Sequence, residues 1–286
     1  MLDINHILNQ SGNNIKIFYA QSGSTNWQTW QKPRGCNYVW IMCIGSGAGG
    51  GSGQGTVSTT GSAGSGGGPG AIAKVLFPSN ILPDTLFIQP GLGGTGSIGT
   101  AGATVVAGAG NISWVAISPI SSVAMNVVCA SGLAAATGGT AESTPTNAVA
   151  ALLLSGTYTL TAGVNGIVNS PGALFTSIVM PGCGGGAVVA SVPAAGFSIS
   201  AVDNNTFTSP AIPGGAATGV AGLNGLWFWK PFFGLGGSGG GANLSGAGGN
   251  GGNGAYGCGG GGGGCGSTTG GNGGNGGDGL VIIATF

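Results

Sequence analysis

Residues Gly234 to Gly279 form a stretch of 46 residues that holds 27 glycines, and this rules out most regular folds for it. Glycine costs about 1 kcal/mol relative to alanine in a helix, and it weakens a strand interior. Two pieces of the stretch repeat every third residue. They are GGNGGNG, with Asn250 and Asn253, and GGNGGNGGDG, with Asn272, Asn275 and Asp278. A polyproline II-type helix has three residues per turn and rises ~3.1 Å per residue. Asparagines three apart then lie along one edge, ~9 Å from one another, and the other two edges are bare glycine. Such a helix makes no internal hydrogen bonds, so its N–H and C=O groups need outside partners when buried. Neighbours of the same kind can supply them, because glycine lets backbones approach closely. A flexible Gly/Ser linker is the competing reading, but a linker should join two bodies, and only GLVIIATF follows. The expectation is a set of packed polyglycine II helices.

Composition narrows the class further. Glycine is 68 of 286 residues, several times the usual ~7%. Charged residues are 3% and the net charge is zero. That excludes the clustered Lys and Arg of a nucleic-acid binder. An apolar content of 42% argues against charge-driven disorder. A freely diffusing protein this uncharged should be poorly soluble, which points to work inside an assembly. The first residues, MLDINHILNQSG, lack the apolar run of a secretory signal. No window offers 18 consecutive apolar residues, so no membrane span is expected.

In chain order, strands are expected at Asn14–Ala20, Asn37–Ile44, Ala71–Phe77, Asp84–Pro90, Asn111–Ile117 and Ser122–Ala130. SGSTNWQTW and PSNILP read as turns, and GLGGTGSIGTAG as a glycine loop. Ser143–Leu154 is the one helix candidate, with Pro145 in its first turn, though it fits a buried strand equally well. TYTLTAG, ALFTSIVM, GAVVASV and FSISAV read as four short strands. The fold class is therefore all-β, a jelly roll or β-sandwich core carrying glycine-rich loops. Residues 1–22 are expected to form an N-terminal arm and first strand, suited to attachment to a larger particle or to oligomer contact. Residues 23–286 form the glycine-rich β domain, with 141–225 an atypical middle insertion.

Several segments resemble the glycine-rich domain proteins of bacteriophage virions, found in tail fibres, tail tips and adhesins. They are TWQKPRGCNYVWIMCIGSGAGGG, GGGPGAIAKVLFPSNILPDTLFIQPGLGG, GNISW with AAATGG, and the final GGNGGNGGDGLVIIATF. The match covers roughly residues 27–140 and 226–286, and the last motif is the most specific. The resemblance implies a sandwich or jelly-roll core with packed polyglycine helices. It also implies a virion structural role, often with host recognition at exposed loops.

Catalytic chemistry is not legible. Gly45, Gly47 and Gly50 fit GxGxxG after a strand, but no helix can follow in TVSTTGSAGSGGGPG, and no acidic residue lies between Asp3 and Asp84. Ser238 fits GxSxG inside the glycine tract, without a strand-to-helix elbow. The only histidine is His6, and no CxxC pair occurs among the six cysteines, so neither a metal site nor a cofactor is expected. Cys258 and Cys265 flank six glycines. In a straight three-fold helix they stand ~22 Å apart, too far to pair with each other.

The densest aromatic patch is Trp227, Phe228, Trp229, Phe232 and Phe233. Trp227 and Trp229 share one side of a strand and Phe228 takes the other. The patch reads either as core or subunit interface, or as an exposed platform for a host-surface glycan or protein. Asp278 is expected to bond backbone N–H groups at a tight turn. The expected role is a non-enzymatic virion structural protein, a tail fibre tip or capsid spike in host attachment. It would be a homo-oligomer, a trimer first, with other virion proteins as partners. The alternatives are a free polyglycine-bundle ligand binder, for example of ice, and a cell-surface glycine-rich protein.

Overall fold

The computed structural model describes residues 15–22, 27–121, 125–132, 157–161, 178–200, 209–230 and 232–286. The helix candidate Ser143–Leu154 lies outside these residues, as do most of ALFTSIVM and the side chains of His6, Glu142 and Asp203. The described chain is nearly all β, in antiparallel sheets.

Two sheets share one core. The first has the order β1 (Ile15–Tyr19), β13 (Leu280–Thr285), β3 (Tyr38–Ile44), β4 (Ile72–Pro78) and β8 (Thr157–Thr161). The second has the order β2 (Gln28–Gln31), β5 (Thr85–Gln89), β6 (Ser113–Ala116) and β7 (Asn126–Ala130). Alternation along each strand sets the faces. Val39, Ile41 and Cys43 of β3, Val75 and Phe77 of β4, and Val281 and Ile283 of β13 meet Trp30, Leu86, Ile88, Val115 and Val128 from the second sheet. Burying each large apolar side chain there contributes about 1.5–3 kcal/mol. The even-numbered residues, Met42, Ile44, Ile72, Leu280 and Ile282, cover the opposite face of the first sheet. That face is closed by β11 (Trp227–Trp229) and β12 (Phe232–Gly234), an antiparallel hairpin.

Some segments differ from the sequence reading. WQTW was read as part of a turn, but Gln28–Gln31 is a strand paired with β5, and Trp30 is its one buried residue. Its polar Gln and Thr neighbours hide that pattern. Val188–Val189 (β9) and Val192–Pro193 (β10) form a tight hairpin, with Ala190 and Ser191 at φ 48° and 62°. Of FSISAV, the described residues 197–200 make one bridge, Ile199 to Ile212. The turn PSNILP contains a short 3₁₀ segment, Ser79–Ile81.

Beyond the sandwich, the strands run on into glycine tracts that keep their sheet neighbours. Residues 47–55 follow β3, and their N–H groups donate in steps of three. Gly47, Gly50 and Gly53 donate to Gly277, Gly274 and Gly271, in the tract leading to β13. Ala48, Gly51 and Gln54 donate to Gly68, Ser65 and Ser62, in the tract leading to β4. Gly49, Ser52 and Gly55 donate to Gly108, Val105 and Gly102, in the tract leading to β6. A strand has two hydrogen-bonding edges; this segment has three.

Residues 257–266 sit at the centre, all buried. From Cys258 on, their N–H groups reach three neighbours, 180–186, 48–54 and 249–255, and the carbonyls of Gly257 to Cys265 accept from three more, 64–70, 237–243 and 271–277; at the two ends Gly257 N–H donates to Asp278 and the Gly266 carbonyl accepts from Val57 N–H. Six main chains thus surround one. GLGGTGSIGTAG, read as a loop, belongs to this bundle: Gly94 and Ser97 donate to Gly47 and Gly50, and Gly276 and Gly273 donate back to Gly94 and Ser97. Glycine is required at this spacing. A methyl group at Gly261 would overlap the Ser238 carbonyl, and one at Gly262 the Gly64 carbonyl.

Candidate binding surface

The outer layer of such a bundle lacks a neighbour on one side, so one N–H in three would end at solvent. Asparagine side chains fill that gap. Asn250 Oδ1 accepts from Asn272 N–H at 2.9 Å, and Asn272 Oδ1 accepts from Gly99 N–H at 2.7 Å. Beside that row, Asn224 Oδ1 accepts from Asn253 N–H, Asn253 Oδ1 from Asn275 N–H, and Asn275 Oδ1 from Gly96 N–H, each at 2.8 Å. Asp278 Oδ1 accepts from Gly93 N–H at 2.8 Å. The carboxylate thus bonds a main-chain N–H of a neighbouring tract rather than one within its own turn. Each carbonyl oxygen is used inward, which leaves the amide Nδ2 groups on the exposed side. The period of three places these residues, and the missing outer tract explains why they are Asn and Asp. Asn224 belongs to the ladder but stands alone in sequence, so no repeat marks it.

The aromatic patch divides between the two faces of the hairpin. Phe228 and Phe233 stack at 4.6 Å and 13°. They pack with Met180, Ile199 and Leu235, where Phe233 is 2% exposed. Trp227 and Phe232 meet edge-on at 5.0 Å and close the outer face of the first sheet. Trp229 sits 5.8 Å from Trp227 and is 38% exposed. Four of the five aromatics are therefore core in whole or part, and Trp229 is the surface member.

Two tyrosines extend this cluster. Tyr256 lies 5.6 Å from Trp227, and Tyr19 lies 5.7 Å from Tyr256. Tyr256 is the one aromatic inside the long glycine tract, and that isolation is the signal a sequence reading could have used. Burial pushes its phenol above the ordinary value, helped by Tyr19 and by the Asp278 carboxylate. The indole Nε1 of Trp227 is buried without an acceptor among the described residues.

Hairpin and ladder meet at an open groove of about 460 Å³. Trp227, Tyr256, Asn253, Asn275, Asp278 and Thr95 are among the residues that line it. No lysine or arginine lines it.

The residues weighed for catalysis have other work. Ser238 Oγ donates to the Pro213 carbonyl at 2.7 Å and accepts from Leu223 N–H at 2.7 Å, inside the bundle. Gly45, Gly47 and Gly50 bond main chain to main chain. The six cysteines form no disulfide. Burial raises the Cys258 thiol to about 12. Among the described residues no group of His, Cys, Asp or Glu could hold a metal ion, and no helix is long and apolar enough to cross a membrane.

No curated protein matches this chain. The family model for the glycine-rich domain matches residues 21–285, from just after β1 through the end of β13. The chain belongs to the glycine-rich domain family.

Proposed function

We propose that this chain is a non-enzymatic structural protein of a bacteriophage virion, a tail fibre tip or capsid spike that takes part in host attachment. The observation that carries the reading is the six-neighbour glycine bundle around residues 257–266. It is a body held by main-chain bonds, with its outer side chains left over for recognition. Its tracts are polyglycine II helices in this reading, supported by hydrogen bonding in steps of three and by more neighbours than a strand can have. Ser238 and the GxGxxG glycines, tied up in the bundle, support the non-enzymatic part. A charged fraction of 3% supports a place on a particle, among other virion proteins and further copies of this chain, with a trimer expected. Trp229 on the hairpin and the asparagine ladder are the surfaces offered to a host glycan or protein.

Light scattering on the purified chain, with adsorption of labelled protein to a panel of bacterial cells, tests this reading. A stable trimer that adsorbs supports it, with Trp229→Ala lowering adsorption several-fold at an unchanged melting temperature. A monomer at high concentration that adsorbs to no cell contradicts it. The exposed asparagine edge also favours a second reading, a free polyglycine-bundle binder of ice. Thermal hysteresis from a monomer would select it.

A further inference from the structure

The groove at the foot of the hairpin joins two chemistries. Its lining includes two aromatic rings, Trp227 and Tyr256, held edge to face at 5.6 Å. It also includes a row of fixed polar groups, Asn253, Asn275 and Asp278. Asn253 and Asn275 each have Oδ1 engaged by a main-chain N–H at 2.8 Å, which holds the amide plane and leaves Nδ2 to donate. Asp278 has Oδ1 engaged by Gly93 N–H, and its second oxygen remains to accept. Ordered donors and an ordered acceptor bind with little further loss of side-chain freedom. A volume of about 460 Å³ lies within the ~300–1,000 Å³ range of small-molecule sites.

The geometry points to this groove as a binding site for a short neutral saccharide. A sugar ring carries C–H bonds on one face, whose partial positive charge suits the negative face of an aromatic ring. Its edge carries hydroxyls that both donate and accept, as the amide and carboxylate groups here require. Other ligand classes fit less well. A phosphate or sulfate would meet the Asp278 carboxylate and no cation. An acyl chain would strip water from Asn253, Asn275 and Asp278 without replacing their hydrogen bonds. The inference deepens the attachment reading and rests on it for its biological role, since a host-surface glycan is the natural source of such a ligand.

The test uses the full chain and a set of neutral di- and trisaccharides of glucose, galactose, mannose and N-acetylglucosamine. Binding is read by saturation-transfer NMR and by the change in tryptophan fluorescence. At least one member should bind saturably, at millimolar affinity or better. Asp278→Asn keeps an oxygen for Gly93 N–H but removes the charge, and should weaken binding about tenfold, as expected for a hydrogen bond to a charged group. Tyr256→Phe keeps the ring and should weaken it less. Both variants should melt close to the parent, so lost binding is not lost fold. The proposal is overturned if no saccharide in the set binds, or if both variants bind like the parent. Cell adsorption separates the two readings. Adsorption that persists in Asp278→Asn and Tyr256→Phe, without saccharide binding, sinks the groove and leaves attachment standing. Saccharide binding that both variants weaken, in a chain that adsorbs to no cell, upholds the groove and removes attachment.

Discussion

In the sandwich, Ile41, Phe77, Leu86 and Ile283 are fully buried, and the two sheets meet through side chains. In the bundle, residues 257–266 are buried as completely, yet Cys258 and Cys265 are the only side chains among them. The first region is held by apolar volume, the second by main-chain hydrogen bonds, each contributing a net ~0.5–1.5 kcal/mol. Glycine also loses more backbone freedom on ordering than any other residue, so an isolated tract gains little by itself. The bundle compensates through neighbours: each central tract is bonded on all sides, and the strands of the sandwich hand the tracts over already aligned. Residues 47–55 meet the tracts of β13 and β4 because β3 already pairs with those strands. The two regions should therefore respond oppositely to added volume. The sandwich suffers when atoms are removed, and the bundle when they are added.

The largest expected effect is Gly261→Ala. The new methyl overlaps the Ser238 carbonyl, with more main chain on every other side, so tracts must separate and several buried bonds break at ~1–3 kcal/mol each. Urea denaturation should show a loss of at least ~3 kcal/mol. A loss under ~1 kcal/mol would mean the bundle is loosely packed. Next is the mirror experiment, Leu86→Ala in the sandwich, expected to cost ~2–5 kcal/mol by loss of transfer energy and by the cavity left. If the bundle melted alone at a lower temperature in that variant, the alignment it takes from the strands would be dispensable.

Asn272→Ala should do less. It leaves Gly99 N–H without its acceptor, but at the surface, where water substitutes, so the cost is ~0.5–1.5 kcal/mol. Faster exchange of the Gly99 amide with solvent reads it directly; an unchanged rate would show the rung to be unformed. Near neutral pH the smallest effects come from the thiols. Cys36 is partly exposed and the other five cysteines are buried, so alkylation of the native protein at pH 8 should modify Cys36 first. Cys258 has its folded-state value raised to about 12, above an ordinary thiol value of ~8.5. The folded state holds its proton longer than the unfolded state, so stability should be full below that ordinary value and fall as pH rises from there toward about 12. A melting temperature that rises over this range would contradict the burial of Cys258.

Much of the sandwich was legible because its strands carry dense apolar runs. YVWIMCI lies within the expected strand Asn37–Ile44, and IAKVLFP overruns the expected Ala71–Phe77 by Pro78 alone. Gln28–Gln31 was not, since a single buried Trp30 between polar residues carries no period. The bundle was legible in kind but not in order. Asn250, Asn253, Asn272, Asn275 and Asp278 mark a three-fold edge, whereas nothing in GSGAGGGSGQG names its three neighbours. Those follow from strand pairing, a long-range property. The aromatic patch was legible as a cluster. Its division was hidden because LWFWKPFF turns back on itself at Lys230, placing Trp227 opposite Gly234 rather than farther along one strand. Tyr256 and Asn224 reach the groove and the ladder only through the packing of the bundle.

Amide hydrogen exchange, resolved residue by residue by NMR across residues 257–266, shows whether these glycines are enclosed. If six main chains enclose this segment, every amide from Gly257 to Gly266 has a main-chain carbonyl partner. All ten should then exchange slowly, at rates close to those of Ile41 and Ile283 in the sandwich. Rapid exchange along the tract, with protection confined to the strands, would mean that the glycines form a solvated coil and that the bundle does not exist in solution.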